Sequence, residues 1–107
     1  MGDALTALQN QYIFLTQNLS MLLAACSTQP QRDAIQTQYV ACRRNFFNCI
    51  NKIFHNDDPA VMALVRQMQS EQTSLTNMLQ HLDDVAKVIN GITQAVTVGA
   101  QLAAAAG

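Results

Sequence analysis

The residues best able to do chemistry occur as a repeated pattern, His55-Asn56-Asp57-Asp58 and His81-Leu82-Asp83-Asp84, which contains both histidines of the chain. An imidazole beside two carboxylates is a donor set that zinc accepts. The spacing argues against one shared site, because the two copies fall on different segments and neither follows a recognised ligand pattern. If His81 lies on a helix, it faces Asn77, Met78, Asp84 and Val85. The pair His81–Asp84 is then expected to be a surface contact worth a few tenths of a kcal/mol. No metal site and no cofactor are expected.

The second candidate set is Cys42, Cys49 and His55, which could act as thiolate ligands or as a nucleophile with its base. Cys26, Cys42 and Cys49 all fall in apolar series, where burial raises a thiol pKa and makes it inert. On one helix, Cys42 and Cys49 would be ~10 Å apart, beyond the ~7 Å limit for a disulfide. The three are therefore expected to be reduced core residues. The chain has no glycine-rich phosphate loop, H-E-x-x-H or G-x-S-x-G pattern, so a non-enzymatic role is expected.

The third set points to assembly. Gly91, Ala95, Gly99, Ala103 and Gly107 recur every four residues, with Ile92, Val96 and Leu102 among them. Small residues at this spacing line one side of a helix and admit a second backbone closely. From Val88 onward there is no charged residue.

The elements that must position these residues are helical throughout. Leu5, Leu8, Tyr12, Leu15, Leu19, Leu22 and Cys26 step alternately three and four apart, the seam of a helix packed lengthwise on another. Ala7, Phe14 and Met21 form a second apolar line seven apart, which requires cover on a second side. Thr28 and Gln31 have capping-box spacing, and Pro30 suits a first helical turn. The second seam is Ile35, Tyr39, Cys42, Phe46, Cys49 and Ile53, flanked by Val40, Phe47 and Phe54. Asp58 and Pro59 open a third helix whose seam runs Val61, Val65, Met68, Leu75, Leu79, Leu82, Ala86 and Ile89.

The predicted fold is all-α: an antiparallel three-helix, up-down-up, coiled-coil-like bundle in one domain. Its helices span about 3–26, 30–55 and 59–106. The last would be ~70 Å long at ~1.5 Å per residue, with Asn90-Gly91 as the alternative break into a short fourth helix near Thr93. Phe46 and Leu79 are expected in the core.

Only 12% of the 107 residues are charged, against ~25% in an average soluble chain. A net charge of −1 gives no electrostatic footprint for nucleic acid or for an anionic membrane surface, and Arg43 and Arg44, the only adjacent basic pair, make no patch. Leu23-Ala24-Ala25-Cys26 resembles a lipobox, but Asp3 is the only charge before it and no basic region precedes it. Met1-Gly2-Asp3-Ala4-Leu5-Thr6 fits only a loose myristoylation pattern.

The expected role is that of a helical scaffold or adaptor, self-associating as a dimer or binding a partner helix. Its contact residues would be Gly91, Ile92, Ala95, Val96, Gly99, Leu102 and Ala103, with Phe14 and Met21 on the first helix. A cytoplasmic location goes with this reading. The alternative is a secreted or membrane-associated protein that inserts residues 88–106.

Overall fold

A computed structural model describes residues 3–106, and helices make up most of it. They are α1 (Asp3–Ala25), α2 (Gln29–Phe47), α3 (Pro59–Met78) and α4 (Val85–Ala104). The bundle measures 42 × 22 × 18 Å. Helix α4 packs on α3, α2 and α1, while the backbones of α2 and α3 make no close approach.

The expected first connection is present in full. The Thr28 hydroxyl accepts from the Gln31 amide at 3.3 Å, and Gln31 Oε1 accepts from the Thr28 amide at 3.3 Å. Both otherwise orphaned donors at the start of α2 are thereby satisfied. Asp58 caps α3, its carboxylate accepting from the Ala60 amide at 2.8 Å.

Two boundaries differ from the sequence expectation. Helix α2 ends at Phe47 rather than near His55. Asn48, Ile50, Asn51 and Ile53 are weak helix formers, and the chain turns at this point so that buried Cys49 meets the end of α4. Its Sγ lies 3.9 Å from the Ala103 carbonyl. The connection then returns to the bundle: Phe54 packs into the core, and Asn56 Oδ1 accepts from the Ala4 amide at 3.1 Å.

The larger correction concerns the long third helix. It is neither continuous to Ala106 nor broken near Gly91. It stops at Met78, and a new 20-residue helix begins at Val85. Asp84 caps that helix by accepting from the Lys87 amide at 3.3 Å. The driving force is burial. Val85, Val88, Ile92, Ala95, Val96, Val98 and Leu102 are all buried, and an unbroken helix would have held most of them in water. Leu79 therefore sits at the end of α3, half-buried, instead of on a mid-helix seam.

Two apolar clusters fill the bundle. One gathers Leu15, Leu22, Ile35, Cys42, Leu75, Val88 and Ile92. The other gathers Ala4, Leu8, Cys49, Val61, Val65, Met68, Val98 and Leu102. Tyr12 stacks on Tyr39 and Phe46, with ring centroids 6.0 and 5.9 Å apart, and meets Phe47 edge-on at 5.5 Å. These rings fill the groove between α1 and α2. Phe46 is thus half-buried among aromatics rather than fully enclosed.

Candidate functional site

The two His-x-Asp-Asp repeats lie in different connections, before α3 and before α4, separated by the ~30 Å length of α3. In each copy the last aspartate caps the helix that follows. The repeat is accordingly a helix-start signal used twice. His81 is exposed and lies outside any helix, so the expected helical pairing with Asp84 gives way to a turn in which the Asp84 amide approaches the His81 carbonyl at 3.5 Å. Among the described residues no group of three or more His, Cys, Asp or Glu side chains is placed to hold a metal ion.

The thiols of Cys26, Cys42 and Cys49 are free and buried. Burial pushes the Cys42 thiol up to about 12. The Cys49 thiol is also raised by burial, with Lys52 opposing the shift. Such thiols stay protonated near neutrality and make poor nucleophiles.

The stripe on α4 does admit close neighbours, and they belong to this chain. A Cβ on Gly91 would stand 2.8 Å from Met78 Sδ, and one on Gly99 would stand 2.8 Å from Gln11 Oε1 and 3.4 Å from Asn45 Nδ2. Gln11 is itself buried, and its Nε2 donates to the Ala95 carbonyl at 2.8 Å. Asn45 Nδ2 donates to the Val96 carbonyl at 3.4 Å. Met68 Cε of α3 lies 3.5 Å from the same Gly99 position, so α1, α2 and α3 converge on α4 there.

Of the residues expected to form an intermolecular contact, Gly91, Ile92, Ala95, Val96, Gly99 and Leu102 are buried within the bundle, and Ala103 and Phe14 are partly covered. Only Met21 remains exposed. The tail is core, and the stripe is already occupied. Among the described residues no helix is long and apolar enough to cross a membrane.

The open apolar surface lies elsewhere. Val40 is 51% exposed, Phe47 49%, Ile50 43% and Ile53 70%. Val40, Arg43, Arg44 and Phe47 line one shallow depression built from α2 alone. The Arg43 guanidinium lies over the Phe47 ring, 5.5 Å from its centroid. From residue 34 to residue 56 the only charges are Arg43, Arg44 and Lys52, with no carboxylate among them. The flanking helices add little charge, α1 carrying only Asp3 and α4 only Lys87, while Asp33 precedes this run and Asp57 and Asp58 follow it. Sequence reasoning noted Val40 and Phe47 as a flanking line and Arg43-Arg44 as a basic pair too small for a patch, and did not join them into a face. The signal was present in the acid-free run around three cations.

A second concavity, between α1 and α3, is lined by Asp3, Asn10, Gln11, Gln69 and Gln72 with Met68. It contains no thiol or imidazole. No protein-family model, no curated protein and no solved structure matches this chain.

Proposed function

We propose that this chain is a non-enzymatic helical scaffold, its four helices alternating in direction, that docks on a partner surface through the outer face of α2 and the turn after it. The observation that carries this reading is the exposure of Val40, Phe47, Ile50 and Ile53 among Arg43, Arg44 and Lys52. Scattered single apolar side chains are ordinary on protein surfaces, whereas Val40 and Phe47 line one depression with Arg43 and Arg44, and exposed apolar groups gathered in this way mark a contact site. Three free, buried thiols suit a reducing compartment, in keeping with a cytoplasmic location.

The face favours a partner of opposite charge over a second copy. A two-fold contact pairs a patch with itself, which would bring the three cations of one protomer against those of the other. The α4 stripe is not part of this proposal, because its residues support the chain's own core.

A photo-crosslinking residue placed at Val40, compared with one at exposed Gln67 on α3, tests the reading in cells of the native source. Adducts concentrated at position 40 are expected. Equal or absent labelling at the two positions would overturn it.

A further inference from the structure

The connection between α3 and α4 is built almost as helix. Residues 79–84 contain no glycine or proline, and no described residue of the chain has a positive φ. The Leu79 amide still donates to the Leu75 carbonyl at 3.0 Å. Those of Gln80 and His81 donate three residues back, to the Asn77 and Met78 carbonyls, at 3.2 and 2.9 Å. The helix therefore tightens before it ends, with Leu79 at φ −65°, ψ −16°. Asp84, at φ −108°, ψ 70°, stands outside the helical region. The chain reverses over Leu82 to Asp84.

The apolar series Leu75, Leu79, Leu82, Ala86 and Ile89 crosses the same turn with unbroken three-four spacing, the seam of a continuous helix packed lengthwise on another. The hairpin uses that seam only in part. Leu79 and Leu82 stand half-buried at the bundle end, and Ala86 is exposed.

We infer that this turn is a hinge and that its partner is a second copy of the chain: straightened, residues 59–104 form one helix of ~70 Å, and each α4 enters the other protomer's bundle. A swapped α4 meets the same surfaces of α1, α2 and α3, with the Gln11–Ala95 bond and the close approach at Gly99 now made between chains. The core is unchanged, and exchanging an identical element is a low-cost route to a dimer. The difference lies at the hinge. The monomer has the Asp84 cap. The dimer has an uninterrupted helix and a two-fold contact in which Leu79, Leu82 and Ala86 of the two chains cover one another. Charges at this end are of both signs, Arg32 and Lys87 with Asp33, Asp83 and Asp84, so the approach does not set one sign against itself. Both forms leave the outer face of α2 open.

The full chain is refolded at high concentration, and its oligomers are separated by size exclusion with light scattering. A monomer and a slowly exchanging dimer are expected, because α4 must leave one core to enter another. Nitroxides are placed at Gln67 and Gln101, exposed residues that line one depression between α3 and α4. Encoded ketone side chains carry them, sparing the three thiols. Labelled chains are co-refolded with an excess of unlabelled ones, so that pulsed dipolar spectroscopy reads distances within one chain. The monomer should give one short distance. The dimer should give ~50 Å, the helix length from 67 to 101 at ~1.5 Å per residue.

Two substitutions push the hinge in opposite directions. Val85→Pro repeats the Asp58-Pro59 helix start: it suits the first position of α4 and disfavours a helix running through it by on the order of 100-fold. A dimer has two hinges, so dimerisation should weaken by on the order of 10,000-fold. Asp84→Ala removes the monomer's cap, worth about fivefold, and should strengthen dimerisation by about 25-fold.

A wild type that stays monomeric at every concentration would overturn the inference. So would a dimer whose intrachain distance stays short, which is a contact between closed bundles. A dimer fraction that neither substitution moves, in variants with folded circular-dichroism spectra, would do the same. Should Val85→Pro fail to fold, the Asp84→Ala shift and the ~50 Å distance decide the matter together.

Discussion

Gln11 in α1 reaches 84 residues along the sequence to donate from Nε2 to the Ala95 carbonyl of α4 at 2.8 Å, and its Oε1 lies in the space that a side chain on Gly99 would need. Oε1 is buried and has no hydrogen-bond partner among the described residues. A buried polar group held on one side only is sensitive to its neighbours. Alanine favours helix over glycine by ~1 kcal/mol, yet Gly99→Ala is expected to destabilise by about 1–3 kcal/mol through overpacking. In a Gln11→Ser background that cost should largely disappear. Gly91→Ala should be near neutral, because the closest atom it meets is the mobile sulfur end of half-buried Met78. Additive effects at positions 11 and 99 in denaturant melts would refute the convergence described here.

The end of α3 separates two leucines that one apolar series places together. Leu75 is 1% exposed, and Leu79 is half-buried at the helix terminus. Leu75→Ala should cost about 2–5 kcal/mol and Leu79→Ala no more than about 1.5 kcal/mol. Equal losses in urea unfolding would restore the continuous helix.

Alkaline stability should carry the mark of Cys42. In the unfolded chain this thiol ionises near 9.0, and in the folded protein only near 12. Below pH 9 both states are protonated and the thiol's contribution is fully present. Between those values the unfolded chain gives up a proton that the folded one keeps, so stability falls by about 1.4 kcal/mol per pH unit. Cys42→Ala should flatten that part of the stability–pH profile relative to wild type. Identical slopes in the two proteins would contradict the burial argument.

Truncation after Val88 should unfold the protein rather than release a smaller folded unit. It removes Ile92, Ala95, Val96, Val98 and Leu102, which contribute to both apolar clusters. A truncated chain that keeps a helical spectrum and a cooperative melt would show that α4 is an appendage.

Much of the fold was legible where local chemistry and apolar spacing agree. The seam of α1, that of α2 as far as Phe46, the Thr28–Gln31 box and the Asp58–Pro59 helix start needed no tertiary information, whereas Ile53, which the spacing places on the α2 seam, lies beyond the helix and is 70% exposed. The break before α4 was obscured because Leu79 and Leu82 continue the three-four spacing through the turn, and no proline marks it. The repeat itself held the clue: Asp84 stands before Val85 as Asp58 stands before Pro59. The glycine stripe correctly signals close helix approach, but spacing alone does not say whether the approaching helix comes from the same chain. Exposure of Val40 and Phe47 was likewise hidden, because it depends on which helices flank α2 and on α2 ending at Phe47.

The C-terminal helix is core, and the outer face of α2 is open. Hydroxyl-radical footprinting of the isolated protein, read residue by residue by mass spectrometry, tests both halves at once. Ile53 should be oxidised at a rate close to that of the unfolded chain and half-covered Phe47 more slowly but readily, with Val96 and Leu102 strongly protected. Protection of Phe47 and Ile53 together with rapid oxidation of Val96 and Leu102 would contradict it.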